Sequence, residues 1–175
     1  MASTLKINNI DTASGSTITV AGGKTLTGLV NASSGFTPPA GHVVQVISVQ
    51  GNTELSTTTN SYTLVPGMEI TITPSSSSNK ILLMFTSEVT IQGDGSFRVR
   101  YTRGGSEIIE MYSGAGNFGS SNQHGHGYAY NHLDSPNTTS QITYQPYFRT
   151  GSSGQAAWLT WDQTKSSMTV FEIAG

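Results

Sequence analysis

The amino-acid sequence predicts an all-β protein, an antiparallel β-sandwich of the jelly-roll type. Apolar residues recur at every second position in many short runs, and no window of about 11 residues shows the 3.6-residue period of a helix. Glycine occurs 20 times, and serine and threonine together make up roughly a quarter of the chain. Because these residues favour turns between short strands, the composition points to the same fold class as the periodicity.

The central strands are predicted between Pro66 and Tyr101, where they are expected to form a meander. Residues 68–73 alternate between apolar and polar side chains, as a half-buried strand does. Residues 81–85, with the sequence ILLMF, are apolar at every position, which predicts a strand covered on both faces. The pair Asp94-Gly95 is typical of a tight hairpin turn and leads into the alternating residues 97–101.

The remaining strands are expected on both sides of this region. They are predicted at residues 43–49, 61–65, 107–112, 128–133, 141–150, 156–161 and 168–173. Pro146 removes a backbone donor from its strand, which predicts an edge strand or a bulge. Residues 113–127 are rich in glycine and predict a long loop.

The N-terminal residues 1–31 differ from the rest because they contain no aromatic residue and only three charged ones. They alternate weakly, yet so few apolar side chains cannot form a private core. Strands of this kind are expected to pair with sister chains in a symmetric oligomer; a flexible tail is the alternative. Residues 32–41, stiffened by Pro38 and Pro39, predict a linker, and residues 42–175 predict the β-sandwich head domain.

Charge and composition exclude several classes of function. A net charge of −2 gives no electrostatic footprint for nucleic acid or for an anionic membrane. The chain has no cysteine for a disulfide or a thiolate metal site. It shows no signal peptide and no apolar run of about 18 residues, so membrane insertion is not expected and assembly is expected in a cytoplasm.

Four stretches resemble small virion structural and tail-fibre-like proteins of marine and cyanobacterial tailed phages. They are MASTLKINNI at the start, ITITPSSSSNKILLMF and HLDSPNTTSQITYQPYF in the body, and SMTVFEIAG at the end. The resemblance spans most of the chain, and its motifs are structural. It implies a β-sandwich head that forms a homotrimer, as heads of the tumour-necrosis-factor type do.

The resemblance implies a non-enzymatic structural protein of a bacteriophage virion, assembled in the host cytoplasm. A short trimeric fibre or knob that contacts a host surface glycan or protein is the first hypothesis. A capsid decoration or cement trimer is the second, and a soluble carbohydrate-binding, lectin-like module is the third. The other virion proteins are expected to bind the N-terminus. The predicted virion anchor consists of Leu5, Ile7, Ile10, Ile18, Val20 and Leu26.

His124 and His126 are the weak candidates for a metal site. In a strand, residues two apart project to one face, so three chains around a threefold axis would bring six imidazoles together. The neighbouring glycines favour a loop instead, in which case both are exposed loop histidines. The main prediction is therefore that the protein binds no metal and no other cofactor.

Aromatic residues around the glycine-rich loop are the candidate ligand or receptor surface. Their rings suit sugar or protein recognition, although core packing is the alternative interpretation. The candidates are Phe118, Asn122, Gln123, Tyr128 and Tyr130.

The residue types of a hydrolase triad occur together at His132, Asp134 and Ser135, but four consecutive positions cannot supply its geometry. Asp134 and Ser135 are expected to hold a turn through hydrogen bonds to the backbone.

Overall fold

The computed structural model describes residues 39–93, 95–114, 123–151, 154–160 and 164–175. These residues belong to one compact unit, Pro38–Gly175. The predicted stem and anchor, and most of the predicted linker, lie outside the described residues. The boundaries predicted for the stem, linker and head therefore stay predictions.

The described residues form strands and turns without a helix, which confirms the predicted all-β class. In these ranges, accordingly, no helix is long and apolar enough to span a membrane. The strands are β1 (Val43–Gly51), β2 (Leu55–Thr57), β3 (Thr63–Leu64), β4 (Ile70–Ile72), β5 (Lys80–Gln92), β6 (Ser96–Arg103), β7 (Ser106–Gly114), β8 (Gln123–Asp134), β9 (Ile142–Thr150), β10 (Ala157–Leu159) and β11 (Ser166–Ile173).

The strands form two antiparallel sheets, sheet A and sheet B, which confirms the predicted sandwich. Sheet A has the order β1-β11-β5-β8, and the short strands β10 and β2 extend it beside the far end of β5. Sheet B has the order β3-β9-β6-β7, with β4 beside β3 on the same edge of β9. If β3 and β4 are treated as one interrupted strand, and β2 and β10 are set aside, eight strands remain. Sheet A then holds the first, eighth, third and sixth, and sheet B the second, seventh, fourth and fifth, which is jelly-roll order.

The predicted meander is wrong, because consecutive strands of the central region lie in different sheets. β4 pairs with β9 in sheet B, β5 lies in sheet A, and β6 returns to sheet B. The connection from β5 to β6 therefore joins the two sheets and closes no hairpin. A strand with one apolar face can contact the common core from either sheet, so its local pattern does not reveal which sheet it joins.

The prediction of a loop over residues 113–127 is wrong at both ends, because both neighbouring strands extend into this range. β7 continues to Gly114 and β8 begins at Gln123. All of β8 pairs with β5, from Gln123 opposite Gln92 to Asp134 opposite Ile81. A long partner strand thus holds this glycine-rich segment extended, although its intrinsic strand propensity is low.

The prediction that β9 is an edge strand is also wrong. β9 lies between β6 on one side and β3 and β4 on the other. The carbonyl of Pro146 accepts a hydrogen bond from the Val65 amide on the side of β3 and β4. The nitrogen of an extended residue points to the same side as its carbonyl. The nitrogen of Pro146, which has no hydrogen to donate, therefore points to the gap between the end of β3 and the start of β4.

The core lies between the sheets and is built from alternate residues of the long strands. In β5, Ile81, Leu83 and Phe85 are each fully buried. Leu82 is half-buried and Met84 is 38% exposed, so the prediction of a strand covered on both faces fails for the single chain.

Candidate functional site

The outer face of sheet B carries a cluster of arginines and tyrosines, here called the arginine–tyrosine surface. Alternation along the strands places these side chains outward, because the residues between them, such as Phe97, Val99 and Phe148, point into the core. β6, β7 and β9 contribute most of the surface, and the segment before β3 adds one ring. Its members are Tyr62, Arg98, Arg100, Glu107, Glu110, Tyr112, Tyr147 and Arg149.

Stacking between guanidinium groups and rings organises this surface. The guanidinium carbon of Arg100 lies 4.1 Å from the ring centre of Tyr62 and 4.9 Å from that of Tyr147. Arg149 lies 4.9 Å from the Tyr62 ring, and Arg98 lies 5.1 Å from the Tyr112 ring. Cation–π contacts of this kind contribute about 0.5–1 kcal/mol each at exposed sites. The side chains are therefore held in place before any partner binds.

Glu110 neutralises part of the positive charge from within the cluster. Its carboxylate accepts hydrogen bonds from the Tyr62 hydroxyl and from Arg98, and it lies 3.7 Å from the Arg149 guanidinium. The hydrogen bond from Tyr62 and the nearby Arg98 lower the pKa of the Glu110 carboxyl, although burial opposes the shift. Burial and the bond to Glu110 raise the pKa of the Tyr62 phenol. Glu110 thus stays ionised and orients three neighbours.

The residue types of this surface are those that suit recognition of a partner. Tyrosine and arginine are the residue types that dominate binding energy in protein interfaces, because they combine a large stacking area with directional donors. Three guanidinium groups face two carboxylates here, which leaves one net positive charge. Tyr112 is 62% exposed, so the part of its ring that Arg98 does not cover is open to a sugar or an apolar side chain.

The residues of the predicted receptor surface separate in the structure. Gln123 is exposed at the start of β8, whereas Phe118 and Asn122 lie outside the described residues. Tyr128 and Tyr130 face sheet B, with their rings stacked at 5.7 Å and Tyr128 6.1 Å from Phe97. Tyr130 is only 9% exposed, and burial raises the pKa of its phenol, so the core interpretation describes this residue.

His124 and His126 lie in β8, on the face directed toward sheet B, opposite Ile91 and Val89 of β5. The prediction that two histidines in a strand share a face therefore applies, and the loop alternative does not. His126 is exposed and its ring meets Tyr128 edge-on at 6.1 Å. Within one chain, the described residues contain no group of three or more histidine, cysteine, aspartate or glutamate side chains arranged for a metal. A site shared by three chains stays a prediction.

Asp134 has a different role from the turn-holding one that was predicted. Both of its oxygens accept hydrogen bonds from Arg103 of β6, at 2.9 and 2.7 Å, and Oδ2 also accepts one from the Tyr144 hydroxyl at 2.6 Å. Burial and this bond raise the pKa of Tyr144. Asp134 therefore links sheet A to sheet B.

Sequence reasoning missed the arginine–tyrosine surface. The alternation of Arg98 and Arg100 with core residues was a visible signal that two cations share an outer face. Tyr62, Tyr147 and Arg149 are distant in sequence and only the order β3-β9-β6 brings them beside that pair. The fold and site together define the class of protein: a jelly-roll sandwich whose sheet B carries a stacked and ion-paired cluster of arginines and tyrosines.

Comparison with known proteins identifies no family for the chain. No family model and no curated protein matches it. Seventeen chains of solved structures match. One, from the structure of the infectious bursal disease virus Gx strain, has a TM-score of 0.44 and 15% identity, over 75% of this chain and 32% of its own. Another is a mutant VP2 protein of infectious bursal disease virus in T=1 particles, with a TM-score of 0.39 and 10% identity, over 86% of this chain and 41% of its own. The chain thus spans about a third to two fifths of these proteins, and likeness this weak carries no argument about function.

Proposed function

We propose that this chain is a non-enzymatic structural protein of a tailed-bacteriophage virion. In this proposal it forms a short trimeric fibre or knob, residues 1–31 attach it to other virion proteins, and the head contacts the host surface. Two observations support the proposal: the sequence resemblance to small phage virion proteins over most of the chain, and a jelly-roll head. A fold of this kind serves many functions, so the role depends on the site it carries.

The arginine–tyrosine surface is the observation that carries host contact. Its side chains are stacked and ion-paired in advance, which reduces the entropy lost when a partner binds. Its composition is that of an interaction hot spot, and it contains no nucleophile and base arranged for catalysis. The ligand that fits is a host surface glycan or protein with rings, hydroxyl groups or weak negative charge.

The test is competition between the purified protein and particles for adsorption to host cells. Wild-type protein should inhibit adsorption, and the double variant Arg100→Gln/Arg149→Gln should inhibit about tenfold less, as expected for loss of hot-spot residues. Lys80→Gln/Lys165→Gln is the matched control, because it removes two positive charges from exposed lysines outside this surface. Melting curves of all three proteins show whether the variants are folded.

Three outcomes would contradict host contact. If wild-type protein does not compete, or if both double variants compete equally well, the arginine–tyrosine surface is not the receptor contact. If adsorption is normal but particles that lack the protein break more readily on heating, the protein is a capsid decoration or cement trimer.

A further inference from the structure

The outer face of sheet A has the opposite character from the arginine–tyrosine surface. Three consecutive rows of outward side chains cross its four long strands without a single charged residue. The rows are Val46–Phe171–Leu82–Leu133, Ser48–Thr169–Met84–Asn131 and Gln50–Ser167–Thr86–Ala129. These twelve residues are here called the uncharged face.

The uncharged face holds most of the exposed large hydrophobic side chains of the described residues. Five large hydrophobic side chains are exposed in those ranges. Three of them, Val46 at 52%, Met84 at 38% and Leu133 at 48%, belong to the uncharged face, and Val43 at 55% adjoins it beside Ile173. Contiguous apolar surface of this kind marks an interaction site, because water is expelled when a partner covers it.

The sequence of β5 leads to the same inference from a different observation. A strand that is apolar at every position, as residues 81–85 are, is typical of a sheet covered on both faces. Within one chain the core covers only Ile81, Leu83 and Phe85. Leu82 and Met84, on the other side of the strand, lie in the middle of the uncharged face. A second layer that covers them must come from outside the described residues.

We propose that other copies of this chain cover the uncharged face. Symmetry-related copies bring equivalent residues close together, and like charges at such an interface would repel. This face avoids that repulsion, since the nearest charges along β5, Lys80 and Glu88, lie beyond the three rows. β1, which supplies Val43 and Val46, also follows soon after residues 1–31, which are predicted to pair with sister chains. The exposed apolar residues and the predicted pairing of residues 1–31 thus both involve β1 or the chain that leads to it.

The test is the mass of the full chain in solution, measured by light scattering at micromolar concentration. Wild-type protein should have the mass of an oligomer, and a trimer is the expected state. Leu133→Lys should reduce the mass to the 18.5 kDa of one chain, because each copy would bury an unpaired charge. Tyr112→Lys is the matched control: Tyr112 is also an exposed large side chain, at 62%, on a long strand, but it faces outward from sheet B. Its mass should equal that of the wild type.

Each result decides the proposal. A monomeric wild type overturns it, as does an oligomer that survives in Leu133→Lys, or one that dissociates equally in Tyr112→Lys. If Leu133→Lys fails to fold, Val46→Lys at the other end of the same row provides the same test, because Val46 is 52% exposed. The inference rests on the trimer of the proposed function and adds the surface that forms it: a monomeric wild type contradicts both, whereas an oligomer that survives in Leu133→Lys contradicts only the assigned surface. Host contact is tested separately, since the adsorption experiment uses residues of sheet B.

Discussion

Single buried polar residues hold neighbouring segments of the sandwich together through hydrogen bonds. Glu172 of β11 is fully buried, and its carboxylate accepts hydrogen bonds from Gln45, Asn79 and both the amide and the hydroxyl of Ser75. Burial alone would raise the pKa of Glu172, but these hydrogen bonds outweigh it, and the pKa lies below its ordinary value. A buried carboxylate is tolerated here because both of its oxygens accept hydrogen bonds, Oε1 from Asn79 and from both groups of Ser75, and Oε2 from Gln45.

Glu172→Gln should destabilise the protein at pH 7 and flatten the dependence of its stability on pH. A carboxyl whose pKa is lowered on folding stabilises the folded state above its unfolded pKa of 4.5, and this contribution is lost as the pH falls through the folded value. At pH 7 the variant should lose about 1–3 kcal/mol, because its amide leaves donors unpaired. Melting temperatures between pH 7 and pH 3 measure both effects, with Glu69→Gln as the exposed control. Parallel curves for Glu172→Gln and wild type would contradict the assignment.

Asp134→Asn should cost more stability than the loss of an exposed ion pair in sheet B. Asp134 is 8% exposed and joins Arg103 to Tyr144, so its replacement weakens a bond between the sheets by about 1–3 kcal/mol. Glu107→Gln removes the 3.3 Å ion pair with Arg100 at an exposed site and should cost under about 1 kcal/mol. Urea unfolding at fixed protein concentration compares the two variants. Equal losses in the free energy of unfolding would show that Asp134 does not link the sheets.

At the scale of elements, β5 organises sheet A. It pairs with β8 along its whole length on one edge, and with β11 and β10 in succession on the other. Its inner residues form the centre of the core, while its outer residues lie in the uncharged face. One strand therefore serves both the fold of the single chain and the proposed self-association.

Phe85→Ala should destabilise the fold by about 3–5 kcal/mol, because it leaves a cavity in a fully buried part of the core. A loss of that size is a large fraction of the about 5–15 kcal/mol by which an ordinary domain is stable. Thr86→Ala, one position along on the exposed face, removes a methyl group and a hydroxyl that bonds to Ser167, and should cost under about 1 kcal/mol. Chemical unfolding of the two variants measures the difference. A Phe85→Ala variant as stable as Thr86→Ala would mean that β5 is not the centre of the core.

At the scale of the whole molecule, the described head has its own core, whereas residues 1–31 have few apolar side chains to offset the entropy of ordering. We therefore expect a truncated chain that begins at Ala40 to stay folded but to lose incorporation into particles. It retains the hydrogen bonds that join Gly41 and His42 to Ala174. Circular dichroism and analysis of purified particles are the measurements. If the truncated head still incorporates, the N-terminal segment is not the anchor.

The position of the proposed interface also bears on the histidine pair. His124 and His126 point toward sheet B, whereas the uncharged face is on the other side of sheet A. An oligomer built on that face would keep the imidazoles of different copies apart, so elemental analysis should find no bound transition metal. About one metal ion per trimer, together with a lower melting temperature for His126→Ala, would instead place β8 at the symmetry axis.

The sequence by itself determined the all-β class, the approximate positions of most long strands and core residues such as Leu83 and Phe85, because period-2 alternation is a local property that each strand carries in its own side chains. Only the tertiary structure decided which sheet each strand joins, that β8 is extended despite its glycines, and that Pro146 lies in a central strand. These features depend on partners that are distant in sequence. The two outer faces also depend on residues that are distant in sequence. Alternation alone shows that Arg100 and Met84 point away from the core. Only the strand order places Arg100 beside tyrosines and Met84 beside uncharged residues.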